Sequence, residues 1–94
     1  MARVKSIKQV LGSFLRKAGL EERYEENLAI AFWDGAVGKE IARHTEPQKV
    51  SQGIVFVKVD TDVWRSELVY FKNEIIQRLN KKIGKKIIQE IKFY

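Results

Sequence analysis

Apolar side chains recur at helical spacing from the start of the chain. Val4, Ile7, Val10, Leu11, Phe14, Leu15 and Ala18 share one face at 3.6 residues per turn. The pattern predicts a helix from about residue 4 to Lys17. Ser6 and Gln9 have the spacing of a capping box, which would move the start inward. Gly19 supplies the left-handed residue that ends it. A second helix is predicted from Glu21 to about Trp33, with two carboxylates in the first turn, where the helix dipole favours them. Tyr24, Leu28, Ala31 and Phe32 are its expected inward face, Asp34-Gly35 its break, and a short helix from Ala36 to about Arg43 its sequel.

After Pro47 the period changes from 3.6 to 2. Ile54 to Asp60 is β-branched and aromatic and alternates toward its end, which marks a strand. Ser51-Gln52-Gly53 reads as a tight turn, so residues about 47–51 pair with 54–60 in a hairpin. The helical period then returns. Thr61 or Asp62 caps a long helix, about Asp62–Lys82, whose core stripe is Trp64, Leu68, Phe71, Ile75 and Leu79. Ser66, Tyr70, Asn73, Gln77 and Lys81 fall on the opposite face, and Gly84 ends the helix. Lys86 to Tyr94 alternates weakly and reads as a last strand.

This order predicts an α+β fold: N-terminal helices, a β-hairpin, a long crossover helix and a third strand completing a three-stranded sheet. Helices must cover its apolar face. The outline is KH-like, and 94 residues make a single domain, 1–94.

Composition narrows the chemistry. The absence of cysteine excludes a disulfide scaffold and thiolate zinc sites and suits a reducing compartment. No apolar run is long enough for a signal peptide or a membrane span, so a cytoplasmic protein with no membrane role is the expectation. Residues 1–69 hold eleven basic and ten acidic side chains, whereas residues 70–94 hold seven basic and two acidic. A basic end of this kind points to a polyanionic partner. Its candidate phosphate contacts are Lys72, Arg78, Lys81, Lys82, Lys85 and Lys86. One or two lysines near Gly84 suffice to offset the helix dipole, which leaves a surplus for phosphate.

No catalytic set is visible. His44 is the one histidine, without a partner spacing that makes a metal site or a triad, and reads as structural. Glu21, Glu22, Glu25 and Glu26 read as a solvated helix face. Gly35-Ala36-Val37-Gly38 matches the GxxG loop with which KH domains clamp a nucleic-acid backbone. Ala36 and Val37 are apolar and Asp34 precedes them, so it reads as a helix–helix corner. Trp33 and Trp64 read as core anchors. Tyr70, with Asn73 and Gln77, is the candidate partner-contact face.

Trp33, Val37-Gly38, Ala42, His44-Thr45 and Pro47 stand in an ordered W…VG…A.HT.P pattern. Gly53 and the Val55/Val57/Val59 strand follow, then Trp64, Glu67-Leu68, Leu79-Asn80, Gly84, Ile91 and Phe93. Over about residues 7–94 the set resembles the DciA family. The residues themselves lead to the expectation of no cofactor and no catalytic activity; the resemblance implies a KH-like domain that binds the replicative DNA helicase and single-stranded DNA and assists helicase loading in replication. Many family members carry a further disordered tail that contributes to helicase contact. Here the chain ends at Tyr94, so the bare domain is the expectation. A stand-alone RNA-binding protein is the alternative that the basic end and the outline also fit.

Overall fold

A computed structural model describes residues 6–94. Among these residues four helices and three strands follow one another: α1 (Ile7–Ala18), α2 (Glu21–Val37), α3 (Lys39–Ala42), β1 (Thr45–Ser51), β2 (Ile54–Val59), α4 (Asp62–Ile83) and β3 (Glu90–Phe93). The predicted α+β class, hairpin, crossover helix and third strand are all present. Val4, placed on the first helix by its period, lies outside the described residues.

The sheet has the order β1-β2-β3. β1 and β2 pair antiparallel around a turn in which Gln52 and Gly53 both have positive φ, 52° and 78°. That is the handedness a two-residue hairpin requires. Pro47 sits on the edge strand beside a bulge, where its missing N–H costs no ladder bond. β3 returns parallel to β2, with Val55 opposite Ile91 and Val57 opposite Phe93. Parallel neighbours need a crossover, and α4 is that crossover. Val55, Val57 and Val59 point into the core, while Ile54, Phe56 and Lys58 alternate outward. α2 and α4 cover the inner face, and Trp33, Leu68, Leu79 and Ile91 are its largest fully buried side chains.

Four details depart from the sequence expectation. α2 does not break at Asp34-Gly35 but runs on to Val37 and stops at Gly38, whose φ of 86° and ψ of 165° suit glycine. Gly35 stays helical at the contact with α4: a Cβ there would lie 3.4 Å from Lys82 Nζ. The buried face of α2 is Ala29, Trp33, Ala36 and Val37, while Tyr24 and Ala31 are exposed. On α4 the buried row is Leu68, Ile75 and Leu79 alone. Trp64 is half-buried and Phe71 is 41% exposed, both at the edge of that row. The last strand is shorter than predicted because the amides of Ile88 and Gln89 bond to Asn80 and Gly53 instead of a ladder.

α1 forms as the capping box demands, with reciprocal 3.2 Å bonds between Ser6 and Gln9, and ends on Gly19 at φ 71°. Of the described residues of its apolar stripe only Leu15 is buried, against α2. The molecule is correspondingly elongated, 59 × 24 × 19 Å. No helix among the described residues is long and apolar enough to cross a membrane.

Candidate nucleic-acid and partner interface

Two polar clusters lock the hairpin to the helices. Trp33 Nε1 donates to Thr45 Oγ1 at 2.9 Å, and the Thr45 hydroxyl donates to the Ile41 carbonyl at 2.9 Å. His44 stacks on Trp64 with ring centroids 4.6 Å apart, while its Nδ1 lies 2.9 Å from Asp60 Oδ2. The histidine read as structural is therefore fixed on two sides, and the two tryptophans act as anchors for the start of β1. Gly53 is the third lock. Its N–H donates to Glu26 Oε2 at 2.7 Å, its carbonyl accepts from Gln89 and Glu90, and a Cβ there would meet the Ile87 carbonyl at 3.0 Å. Glu26, taken from sequence as part of a solvated face, thus has a specific structural partner. Only the folded backbone reveals it.

The end of α4 is shaped by Asn80 and Gly84. Gly84 closes the helix at φ 91°. Asn80 then grips Ile88 in both directions, accepting from its N–H at 2.8 Å and donating to its carbonyl at 2.9 Å. This draws Lys85 and Lys86 back beside the last turn. The result is an open groove of about 860 Å³ in which Lys81, Lys85 and Lys86 meet Gln77, Asn80 and Gln89. Gln77, expected on a partner face, and three of the expected phosphate lysines thus share one surface.

The other basic residues are dispersed. Lys72 faces β3 and pairs with Glu90 at 3.2 Å. Arg78 pairs with Glu74 at 2.7 Å and donates to the Ala36 carbonyl at 3.3 Å. Lys82 lies over Gly35 on the α2 side. Lys72 and Arg78 therefore occupy opposite flanks of α4. Lys85 is engaged as well, 2.7 Å from Glu25 and 3.9 Å from Glu21. The Glu25 hydrogen bond raises its pKa above the ordinary lysine value. Among the described residues, Lys81, Lys82 and Lys86 have no carboxylate partner within salt-bridge distance. The unspent positive charge lies at one end of the helix, not along its length.

The outer face of α4 is solvent-facing, as its polar pattern predicted. Tyr70 is 84% exposed, and Asn73 and Gln77 are exposed on the same side. Among the described residues no group of three or more His, Asp or Glu side chains could hold a metal ion. What the surface offers is a cationic groove joined to a polar, tyrosine-bearing helix face. Such a surface suits phosphate contact and protein contact.

Comparison with known proteins places this architecture in a defined group. The model of the family described as "Dna[CI] antecedent, DciA" matches residues 6–93. The chain belongs to the DciA family, and that membership fits a helicase-loader role at the level of the family. A UPF0232 protein of Corynebacterium glutamicum (strain R) is 25% identical over 89 residues, 95% of this chain and 50% of the relative. A UPF0232 protein of Mycobacterium ulcerans (strain Agy99) is 23% identical over 88 residues, covering 89% and 47%. One of Rhodococcus jostii (strain RHA1) is 22% identical over 77 residues, covering 82% and 41%. The chain thus spans half or less of the length of these relatives.

Proposed function

We propose that this chain is a non-enzymatic adaptor that binds the replicative DNA helicase and single-stranded DNA and assists loading of the one onto the other. The family match over nearly the whole chain carries this reading. The surface supports it in two ways. Lys81 and Lys86, with Lys82 near by, offer ammonium groups that track phosphates without reading sequence. The outer face of α4, with Tyr70, Asn73 and Gln77, offers an exposed aromatic flanked by amides, a composition suited to a protein contact. The KH-like outline fits the same reading, although Gly35 to Val37 of the GxxG segment complete α2, Gly38 alone makes the α2–α3 corner, and the proposed DNA contact falls at the far end of α4.

Pull-down with the purified cognate helicase tests this reading, at micromolar concentration and with labelled single-stranded DNA present or absent. The expected result is a direct complex and more helicase retained on DNA. No complex with helicase would overturn the adaptor reading. Preferential binding of matched single-stranded RNA, indifferent to helicase, would replace it with a stand-alone RNA-binding role.

A further inference from the structure

α1 and the N-terminal half of α4 each leave an apolar surface uncovered. On α1, Ile7 is 88%, Val10 54%, Leu11 37% and Phe14 60% exposed. They stand at i, i+3, i+4 and i+7, the spacing with which a helix anchors in a groove. The second surface is such a groove, about 690 Å³, where the α2–α3 corner meets α4. Val37, Ile41, Val63, Trp64 and Phe71 form its walls, with Glu40 and Glu67 at the rim beside Lys39.

Charge matches the two. Residues 1–20 carry five basic side chains and no acidic one. Lys8 and Lys17 flank the apolar stripe of α1 on either side. An occupant of opposite character is apolar with an acidic edge; in the groove Glu40 is paired with Arg43 at 2.7 Å, and Glu67 supplies that edge. Glu67 has no salt-bridge partner among the described residues.

The helix of the same chain cannot fill the groove. α1 joins α2 at Glu21, whereas the groove begins at Val37, about 24 Å along the helix. α1 is only about 18 Å long and is tethered at its near end by Leu15. α1 of the same chain therefore does not reach the groove.

We propose that this groove receives α1 of a second copy of the chain, and that reciprocal exchange of the two helices closes a two-fold dimer. Two identical contacts related by a two-fold axis leave neither apolar surface open, whereas a one-way contact would propagate. Each contact is small, so the dimer is weak and reversible.

Sedimentation velocity from about 5 to about 500 μM tests the proposal, a range that reports millimolar to micromolar affinity. The wild-type chain is expected to shift reversibly toward a dimer. Phe14→Glu on α1 and Phe71→Glu in the groove are each expected to weaken association at least about tenfold. Circular dichroism confirms that each variant remains folded. Glu67→Lys, at an exposed site that leaves the walls intact, gives the same loss should Phe71→Glu unfold. An equimolar mixture of Phe14→Glu and a groove variant restores one contact and is expected to associate more than either alone. A wild-type chain that stays monomeric throughout overturns the proposal. So does a dimer sensitive to Phe14→Glu but to neither groove substitution, which would mean that α1 pairs with α1. A mixture no more associated than its components overturns it too.

Discussion

The two halves of α4 share one inner face and differ on the outside. Leu68 in the first half and Ile75 and Leu79 in the second form a continuous buried row against the sheet. Outward, residues 62–71 carry one basic and two acidic side chains and expose Val63, Val69, Tyr70 and Phe71. Residues 72–86 carry six basic and one acidic, and expose almost no large apolar group. A helix of 22 residues is about 33 Å long. Under the proposed function it carries the tyrosine of the protein contact on its first half and the phosphate-contacting lysines at the end of its second, on one rigid element. Binding at the first half depends on buried area and should resist salt. Binding at the second releases counterions and should not.

The largest expected effect tests the shared inner face. Leu68→Ala and Leu79→Ala should each cost about 2–5 kcal/mol, because both side chains are fully buried. Urea denaturation followed by circular dichroism checks this. A small cost for one and a large cost for the other would show that the two halves are not equivalent inside. Asn80→Ala comes next. It removes both bonds to Ile88 and should cost about 1–3 kcal/mol, since the Ile88 amide and carbonyl lose their partner. It should also weaken binding to single-stranded DNA, because Lys85 and Lys86 are released from the helix end.

The outer faces are tested without touching stability. Replacing Lys81, Lys82 and Lys86 by Gln should flatten the log–log salt dependence on single-stranded DNA by up to about 2 units, at about 0.7 for each phosphate lost. Thermal stability should change by less than about 0.5 kcal/mol, as exposed charges contribute little. A fluorescence titration over a salt series measures the slope. An unchanged slope would reduce these three lysines to solubilising charges. Tyr70→Ala should leave both stability and DNA slope alone and lower helicase retention in the pull-down. If it lowers the salt slope instead, the division between the halves fails.

The smallest effect concerns the flank of α4 against β3. The N–H of Ile91 donates to Glu90 Oε1 at 2.8 Å, and Lys72 stands 3.2 Å away. That backbone hydrogen bond first, and the ammonium second, hold the Glu90 carboxyl below its ordinary pKa. A carboxyl lowered in the folded state adds stability above its unfolded value. That gain is lost as pH falls through the folded value. Glu90→Gln should therefore lower the melting temperature slightly at neutral pH, and the gap from wild type should close in acid. A gap that persists in acid would assign the effect to packing instead of charge.

Much of this protein is written in its period. The 3.6 spacing of Leu68, Ile75 and Leu79, the alternation through Val55, Val57 and Val59, and the punctuation at Ser6, Gly19, Gly53, Thr61 and Gly84 determine element type and ends locally. Each acts through its own backbone or its nearest neighbours. The basic end was legible too, because charge needs no fold to be counted. What the sequence left open is whatever depends on a second element. Whether Tyr24 or Trp33 faces inward along α2 is decided by the sheet, since both lie on plausible stripes. Gly35 stays helical because α2 meets α4 there, against its own low helix propensity. Glu26 finds Gly53 from 27 residues away, and Lys85 finds Glu25 from 60. The six basic residues read as one patch in sequence, but tertiary structure spends Lys72, Arg78 and Lys85 on carboxylates and gathers the rest near one helix end. Periodicity is a property of one segment, whereas charge pairing, helix phase and exposure are properties of two segments brought together, and only the folded chain supplies the second.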